Sequence, residues 1–364
     1  MVEVLIHFIV LKNKIAEIKN ESLVYVYDLS QFDISAIMHS GQVFRYWERE
    51  DGSFDLVVGS EFARISHLEI KEQRDKNEQS SKQEDDRVKI CEICCSNANF
   101  FWRYFDLDTD YRLIKNKLVE SDRRIEPMII DGGGIRILHG GFVEMVISFI
   151  ISANNNIKRF TKTLNSLSEK YGTKLGCVRD IAGENMSCDT HTTCKTGENV
   201  SSIEDLYAFP TLKQLLCVAE EQFRELGCGY RRGYLVDAVS QLKNMSRGGE
   251  DGFEWLYDLP DEDLYAELIK IKGVGDKVAR CVMLFAFHRL GIAPVDTWME
   301  RAVERFISKK DLYGGEGVLN GSEKNKRITP RRMAQLFEGK FAPYSGVAQQ
   351  YLFYYWQYLG KGEK

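Results

Sequence analysis

A lysine just inside the start of a helix is the group in this sequence whose type and setting point most directly to chemistry. In Leu264-Tyr-Ala-Glu-Leu-Ile-Lys-Ile-Lys-Gly273-Val274-Gly275-Asp276-Lys277-Val-Ala-Arg-Cys281, a Gly-Val-Gly turn separates two helical patterns. Glycines at this spacing let the backbone turn sharply, so that exposed N–H groups at the second helix's start face an anion such as a phosphate. Lys277 falls in the first turn of that helix, beside the anion site. Downstream, in Pro294-Val295-Asp296-Thr297-Trp298, Asp296 stands where a carboxylate would cap the next helix. The turn alone would serve as an ordinary helix connection, and Asp296 alone as an ordinary cap. Together, a lysine nucleophile and a carboxylate at the ends of adjacent helices describe a site for glycosidic-bond chemistry.

The elements that must hold this site are mostly helical. Phe142, Val143, Val146, Phe149 and Ile150 follow the spacing of one buried helix face. Helices are also expected over 158–170, 211–225, 233–243, 261–271, 276–289, 297–308, 330–338 and 345–358. The first 110 residues read mostly as β, with strands at Phe44 to Trp47 and Phe54 to Val58 around an Asp51-Gly52 turn. The aromatic patch Phe100, Phe101, Trp102, Tyr104 and Phe105 reads as core. The expected fold class is α+β: an N-terminal antiparallel β domain over 1–125, then a larger helical region over 126–364 containing the hairpin at about 261–289. Polar insertions are expected at 71–87, 177–205 and 309–329.

Composition bounds the function. Of 364 residues, 44% are hydrophobic and 28% charged, which excludes a mainly disordered or fibrous chain. With 49 Lys+Arg against 54 Asp+Glu the net charge is −5, so the protein does not coat nucleic acid by bulk charge. Six of those acids lie in the 71–87 stretch. A site that grips phosphate through backbone N–H groups needs little side-chain charge, and weak non-specific binding with a shallow salt slope is expected. No apolar run approaches the roughly 18 residues of a membrane span. Glu3 precedes the first apolar stretch and Lys12 and Lys14 follow it, the reverse of a secretory signal. An odd cysteine count of nine suggests free thiols in a reducing compartment: a bacterial cytoplasm, or a nucleus if the source is eukaryotic.

The hairpin, its lysine and Val295-Asp296 resemble the helix–hairpin–helix DNA glycosylases of the Gly/Pro-rich-loop-and-Asp type, and most closely the 8-oxoguanine DNA glycosylase/AP lyases. Four further motifs carry the likeness: Gly41-Gln42-Val43-Phe44-Arg45-Tyr46; Gly134-Ile-Arg-Ile followed by Ser152-Ala153-Asn154-Asn155-Asn156-Ile157-Lys158-Arg159; Leu226-Gly-Cys-Gly-Tyr230-Arg231; and Gly346-Val-Ala-Gln349-Gln350-Tyr-Leu-Phe353. It runs from about residue 28 to 358.

The resemblance implies a base-flipping enzyme acting on duplex DNA with 8-oxoguanine, preferably opposite cytosine. It places Asn154 in the vacated space, Arg159 and Arg231 on the partner base, and Tyr230 as a wedge in the stack. The Gly41 carbonyl would read the lesion's N7 hydrogen, Cys281 and Phe353 would sandwich the base, and Gln349 would bond its Watson–Crick edge. Gly273, Val274 and Gly275 would hold phosphate. Lys277 would attack C1′ and proceed through a Schiff base to β-elimination, with Asp296 stabilising the oxocarbenium charge. An unperturbed lysine is only about 0.04% neutral at pH 7. Burial and the positive helix end are expected to favour the free amine.

Details depart from the family pattern. Lys272 replaces a common proline, Trp298 stands where some relatives carry a phosphate-contacting histidine, and Asp276 precedes the lysine, where it is expected to cap the helix. No metal or other cofactor is expected: Cys188-x-x-His191-x-x-Cys194 with Cys91-x-x-Cys94 is too loosely spaced for a compelling zinc site, and no cysteine follows Cys281 to complete an iron–sulfur cluster. The enzyme is expected to act as a monomer. A glycosylase for another damaged base and a non-catalytic DNA-binding module remain the alternatives.

Overall fold

The computed structural model describes residues 14–71, 87–176, 205–249, 252–307 and 329–360. Strands β1 (Ala16–Asn20), β2 (Leu23–Val26), β3 (Tyr46–Glu48), β4 (Phe54–Val58), β5 (Glu61–Lys71) and β6 (Arg87–Cys95) form one antiparallel sheet in the order β1-β2-β6-β5-β4-β3. The expected hairpin is present, with Glu48 opposite Phe54 and Tyr46 opposite Leu56. Its first strand begins at Tyr46 rather than Phe44. Phe44 instead turns into the helical core, its ring 4.7 Å from that of Phe160 and 5.7 Å from that of Phe149. Strands β5 and β6 pair out to Lys71 opposite Arg87, so both flanks of the polar 71–87 stretch are strand. Residues 72–86 lie outside the described residues, as do most of the 177–205 and 309–329 stretches.

Among the described residues, four helices precede the central one: α1 (Ile34–Met38), α2 (Ala98–Tyr104), α3 (Tyr111–Ser121) and α4 (Glu126–Gly132). The first three fall in or beside the stretch expected to be mostly β. Asn97 and Asp110 start α2 and α3 by accepting the backbone N–H of Phe100 and Arg112, each at 3.0 Å. The aromatic patch is core, as expected: Phe101, Tyr104 and Phe105 are buried against the sheet. Aromatic density suits a buried helix and a strand equally, so periodicity over so short a run cannot separate them.

Helix α5 (Phe142–Ser152) is the centre of the second core. The sequence shows one apolar face, yet residues from Met145 to Ile151 are all buried, because elements pack around it on every side. Around it lie α6 (Ile157–Tyr171), a small β7 (Lys174–Gly176) and β8 (Leu206–Tyr207) pair, α7 (Leu212–Leu215) and α8 (Glu220–Glu225). The expected single helix over 211–225 is thus two. Thr211 and Gln214 box the first start; Ala219, extended at ψ 161°, begins the second, its N–H held by Gln222 at 2.7 Å. There follow α9 (Arg232–Met245), α10 (Asp261–Leu268), α11 (Asp276–Phe285), α12 (Thr297–Glu304), α13 (Pro330–Phe341) and α14 (Ser345–Phe353). A π-helical turn, Tyr354–Tyr358, replaces the expected end of the last helix.

Buried polar groups join the two cores. The fully buried Arg136 guanidinium donates to the carbonyls of Phe105 and Gln31 at 2.9 Å, Thr109 at 2.7 Å, and Asp106. It also sits 4.2 Å from the Tyr111 ring centroid. Gln42 spans the same segment, donating to the Arg136 carbonyl at 2.7 Å and accepting from Leu138 N–H at 2.9 Å. A buried charge of this kind is tolerable only when every donor is matched. The described cysteines are free, and no described helix is long and apolar enough to cross a membrane.

Candidate active site

The hairpin between α10 and α11 depends on glycine at one position for two reasons. Gly273 adopts φ +86°, and a Cβ there would lie 3.0 Å from Tyr234 Cβ and 3.4 Å from Ile150 Cγ2. Val274 is buried and anchors the turn, its N–H donating to Ile271 at 3.0 Å. Gly275 is the N-cap of α11, and no side chain caps that helix. The positive end of the helix therefore presents its amides outward, as expected of a phosphate site.

Asp276 does not cap this helix, contrary to expectation. Its carboxylate accepts from Tyr265 Oη at 2.8 Å and faces Arg280 Nε at 3.3 Å, one turn on along the helix. Arg280 is buried and also pairs with Glu338 of α13, whose carboxylate accepts the Ala293 N–H at 2.8 Å. The acid beside the lysine is thereby neutralised by an arginine. Burial raises the Glu338 carboxyl pKa despite that arginine.

Lys277, half-buried in the first turn of α11, holds Nζ 5.3 Å from the centroid of Phe149 on α5. The Cys281 thiol one turn later is pushed up to about 11, chiefly by burial; the Lys277 ammonium opposes the shift and the Asp296 carboxylate adds to it. Lys277, Cys281 and Asp296 are thus electrostatic neighbours. Asp296 caps α12 as expected, Oδ1 accepting Met299 N–H at 3.1 Å. That bond fixes the carboxylate at the helix start.

Elements from opposite ends of the chain meet at Gly41 and the last helix. Gly41 adopts φ +80°, and a Cβ there would lie 2.8 Å from Phe353 Cε1. A side chain at 41 would push Phe353 out of place. Gln349, one turn before Phe353 on α14, is buried with Oε1 lacking a partner. The π-helical turn after Phe353 presses Tyr358 onto His39, ring to ring at 4.4 Å. That stack ties the end of α14 to the α1 region carrying Gly41.

The remaining expected residues meet on a neighbouring loop. Asn154 is exposed with φ +50°, and Asn156 caps α6 by accepting Arg159 N–H at 2.8 Å. The two arginines expected to act alike are placed differently. Arg159 is exposed, whereas Arg231 is buried, with Nε donating to the Ala153 carbonyl and Nη2 to that of Asn154, each at 2.8 Å. Arg231 also sits 4.5 Å from the ring of Tyr230, which is 59% exposed and stands clear of the core.

Residues that hold this arrangement were not singled out for it in the sequence: Arg136, Gln42, Arg280 with Glu338, and Tyr234 beneath Gly273. Arg136 stands in the Gly134-Ile-Arg-Ile motif with no role given to it, and its physical signal is a charge inside the apolar run Ile135 to Leu138. Of the residues in the loosely spaced cysteine–histidine arrangement, Cys91 lies buried in β6, while Cys188, His191 and Cys194 lie outside the described residues.

Known proteins match this chain in sequence and fold. The family described as "8-oxoguanine DNA glycosylase, N-terminal domain" matches residues 24–146, and "HhH-GPD superfamily base excision DNA repair protein" matches residues 147–318. The chain is 27% identical to an N-glycosylase/DNA lyase of Saccharomyces cerevisiae, covering 89% of this chain and 83% of the yeast protein. It is 33% identical to an N-glycosylase/DNA lyase of Arabidopsis thaliana, covering 74% of this chain and 66% of that protein. Among solved structures, a Clostridium acetobutylicum 8-oxoguanine glycosylase/lyase in complex with duplex DNA containing cytosine opposite 8-oxoG superposes with a TM-score of 0.69, at 30% identity, covering 95% of this chain and 98% of that one. The chain therefore belongs to the 8-oxoguanine DNA glycosylase family of HhH-GPD base excision DNA repair proteins.

Proposed function

We propose that this N-glycosylase/DNA lyase removes 8-oxoguanine from duplex DNA and cleaves the strand through a lysine Schiff base. The observation that carries the mechanism is the position of Lys277: at an uncapped helix start, in electrostatic reach of Cys281 and Asp296. The neutral amine forms a bond to C1′ as the glycosidic bond breaks, and the bonding pair leaves with the base, which takes up a proton. Positive charge develops on the sugar, and Asp296, held by its own helix cap, stabilises it. Ring opening gives the Schiff base, and loss of a C2′ proton expels the 3′-phosphate.

Recognition is divided among the other residues. The Gly41 carbonyl accepts the N7 hydrogen that guanine lacks; guanine would set an acceptor against an acceptor. Phe353 and the neutral Cys281 thiol sandwich the base, and Gln349 supplies its free amide oxygen to the Watson–Crick edge. Asn154 fills the vacated stack, Tyr230 wedges the partner side, and Arg159 meets the partner cytosine. Arg231 holds the Asn154 loop and, once the duplex engages it, completes the partner-base contact.

Incubation with duplexes carrying 8-oxoguanine, guanine or an alkylated purine, with borohydride present, tests this reading. A covalent adduct with the 8-oxoguanine duplex alone is expected. Equal adduct with the alkylated purine would move the protein to another substrate class. DNA binding without excision of any of the three would favour the non-catalytic alternative. Excision indifferent to the opposite base would remove the role given to Arg159 and Arg231.

A further inference from the structure

Away from the lysine site, a carboxylate and two imidazoles converge where the N-terminal region meets the end of the lysine helix. Asp106 follows α2, His139 lies on the segment entering α5, and His288 follows α11. Asp106 and His139 fall within the first family match and His288 within the second. The imidazole rings stack 3.8 Å apart and 17° from parallel. His288 Nε2 lies 3.5 Å from Asp106 Oδ2, and His139 Nε2 lies 4.0 Å from Oδ1. Both distances exceed the about 2.7–3.2 Å of an ordinary hydrogen bond. One ligand atom from each of the three residues can be chosen within 4.8 Å of the others.

We propose that Asp106, His139 and His288 bind a divalent transition metal of the zinc type, which clamps the end of the lysine helix to the N-terminal region. Donors on one tetrahedral zinc sit about 3.3 Å apart, from zinc–ligand lengths of about 2.0–2.1 Å. The two imidazole–carboxylate spacings, 3.5 and 4.0 Å, lie within an ångström of that value, and ligation requires the stacked rings to splay apart so that both nitrogens point at the ion. Two imidazoles with one carboxylate suit zinc and cobalt, and disfavour calcium and magnesium, which take oxygen ligands.

The surroundings support ligation. Asp106 Oδ1 accepts from Thr109 Oγ1 at 2.8 Å and Oδ2 from Tyr111 Oη at 3.0 Å, so both oxygens are oriented and keep a lone pair for the cation. Burial lowers the pKa of both rings, His139 to about 4, leaving nitrogen lone pairs available at neutral pH. The competing contact is loose: His288 Nε2 lies 3.3 Å from the Ile137 carbonyl. Among the described residues, Asp106, Asn154 and His288 are the non-glycine positions with positive φ, at 52°, 50° and 53°. Two of the three thus belong to this cluster, and strained backbone concentrates where function over-determines it. His139, with 40% of its side chain exposed, leaves a fourth coordination position to water.

The test uses chelator-treated full chain titrated with Zn2+ and, in parallel, Co2+. One equivalent of Co2+ should give the visible absorption of a four-coordinate nitrogen–oxygen site with no near-ultraviolet thiolate band. One equivalent of Zn2+ should raise the melting temperature by roughly 5 °C. The double variant His139→Gln, His288→Asn should lose both responses; asparagine tolerates the positive φ at 288. The cobalt spectrum of the unaltered protein decides the matter even if the variant fails to fold. No binding at excess metal, a thiolate band that puts the ion on cysteines, or full binding by the folded double variant would each overturn the proposal.

Discussion

The two sides of the site are built by different means. The lysine side is positioned by backbone: a glycine with positive φ, an uncapped helix start and a carboxylate that caps the next helix. The Asn154 side is positioned by a buried side chain, the Arg231 guanidinium bonded to the carbonyls of Ala153 and Asn154. A backbone-built site tolerates surface change but not a change of glycine. A side-chain-built loop fails when one guanidinium is removed. The contrast orders the expected effects of mutation.

The largest effect is expected at Lys277. Lys277→Gln removes the nucleophile and should lower single-turnover excision by roughly a thousandfold or more with folding intact. Asp296→Asn comes next. Asparagine still caps α12, so melting should barely change, while loss of the charge should slow excision by roughly 100–1,000-fold. A matched loss of melting temperature would show that Asp296 acts only as a cap.

Arg231→Ala tests the other side. It removes the donors to two part-buried carbonyls, costing about 1–2 kcal/mol, and should reduce excision by roughly tenfold to a hundredfold while leaving borohydride trapping at Lys277 possible. Complete loss of trapping would mean that the two sides are not separable. Gly273→Ala should cost about 1–2 kcal/mol of stability through the left-handed φ alone. Its electrophoretic DNA affinity should fall several-fold, with a smaller effect on chemistry once DNA is saturating.

The effect furthest from the chemistry concerns pH. The folded Cys281 thiol titrates near 11 against a usual value of 9.0. Between those values the unfolded chain has lost a proton that the folded chain keeps, so stability falls as pH rises. Denaturant titrations from pH 8 to 10.5 should show that fall, and Cys281→Ala should make it shallower.

The same contrast explains what could be seen in the sequence. Gly273, Gly275 and Asp296 were legible because they stand with Lys277 at the ends of adjacent helices; each alone would read as an ordinary turn or cap. Helix α5 was legible by its period, although burial on every side was not. Arg136 and Arg280 were opaque: their meaning lies in carbonyls and carboxylates brought from distant segments. Asp276 was misjudged for the same reason, since the cap rule knows nothing of Tyr265 and Arg280. The break at Ala219 was hidden by helix-forming residues on both sides. Arg159 and Arg231 looked equivalent as charges and differ in burial, which only packing decides.

The central claim is that Lys277 Nζ is the group that bonds to C1′. Borohydride reduction of the protein with an 8-oxoguanine:cytosine duplex, followed by nuclease and protease digestion and mass spectrometry, identifies the residue carrying the sugar. The account predicts the reduced adduct on the peptide containing Lys277, and none in Lys277→Gln. An adduct on another residue, or full base release by the folded variant, would contradict it.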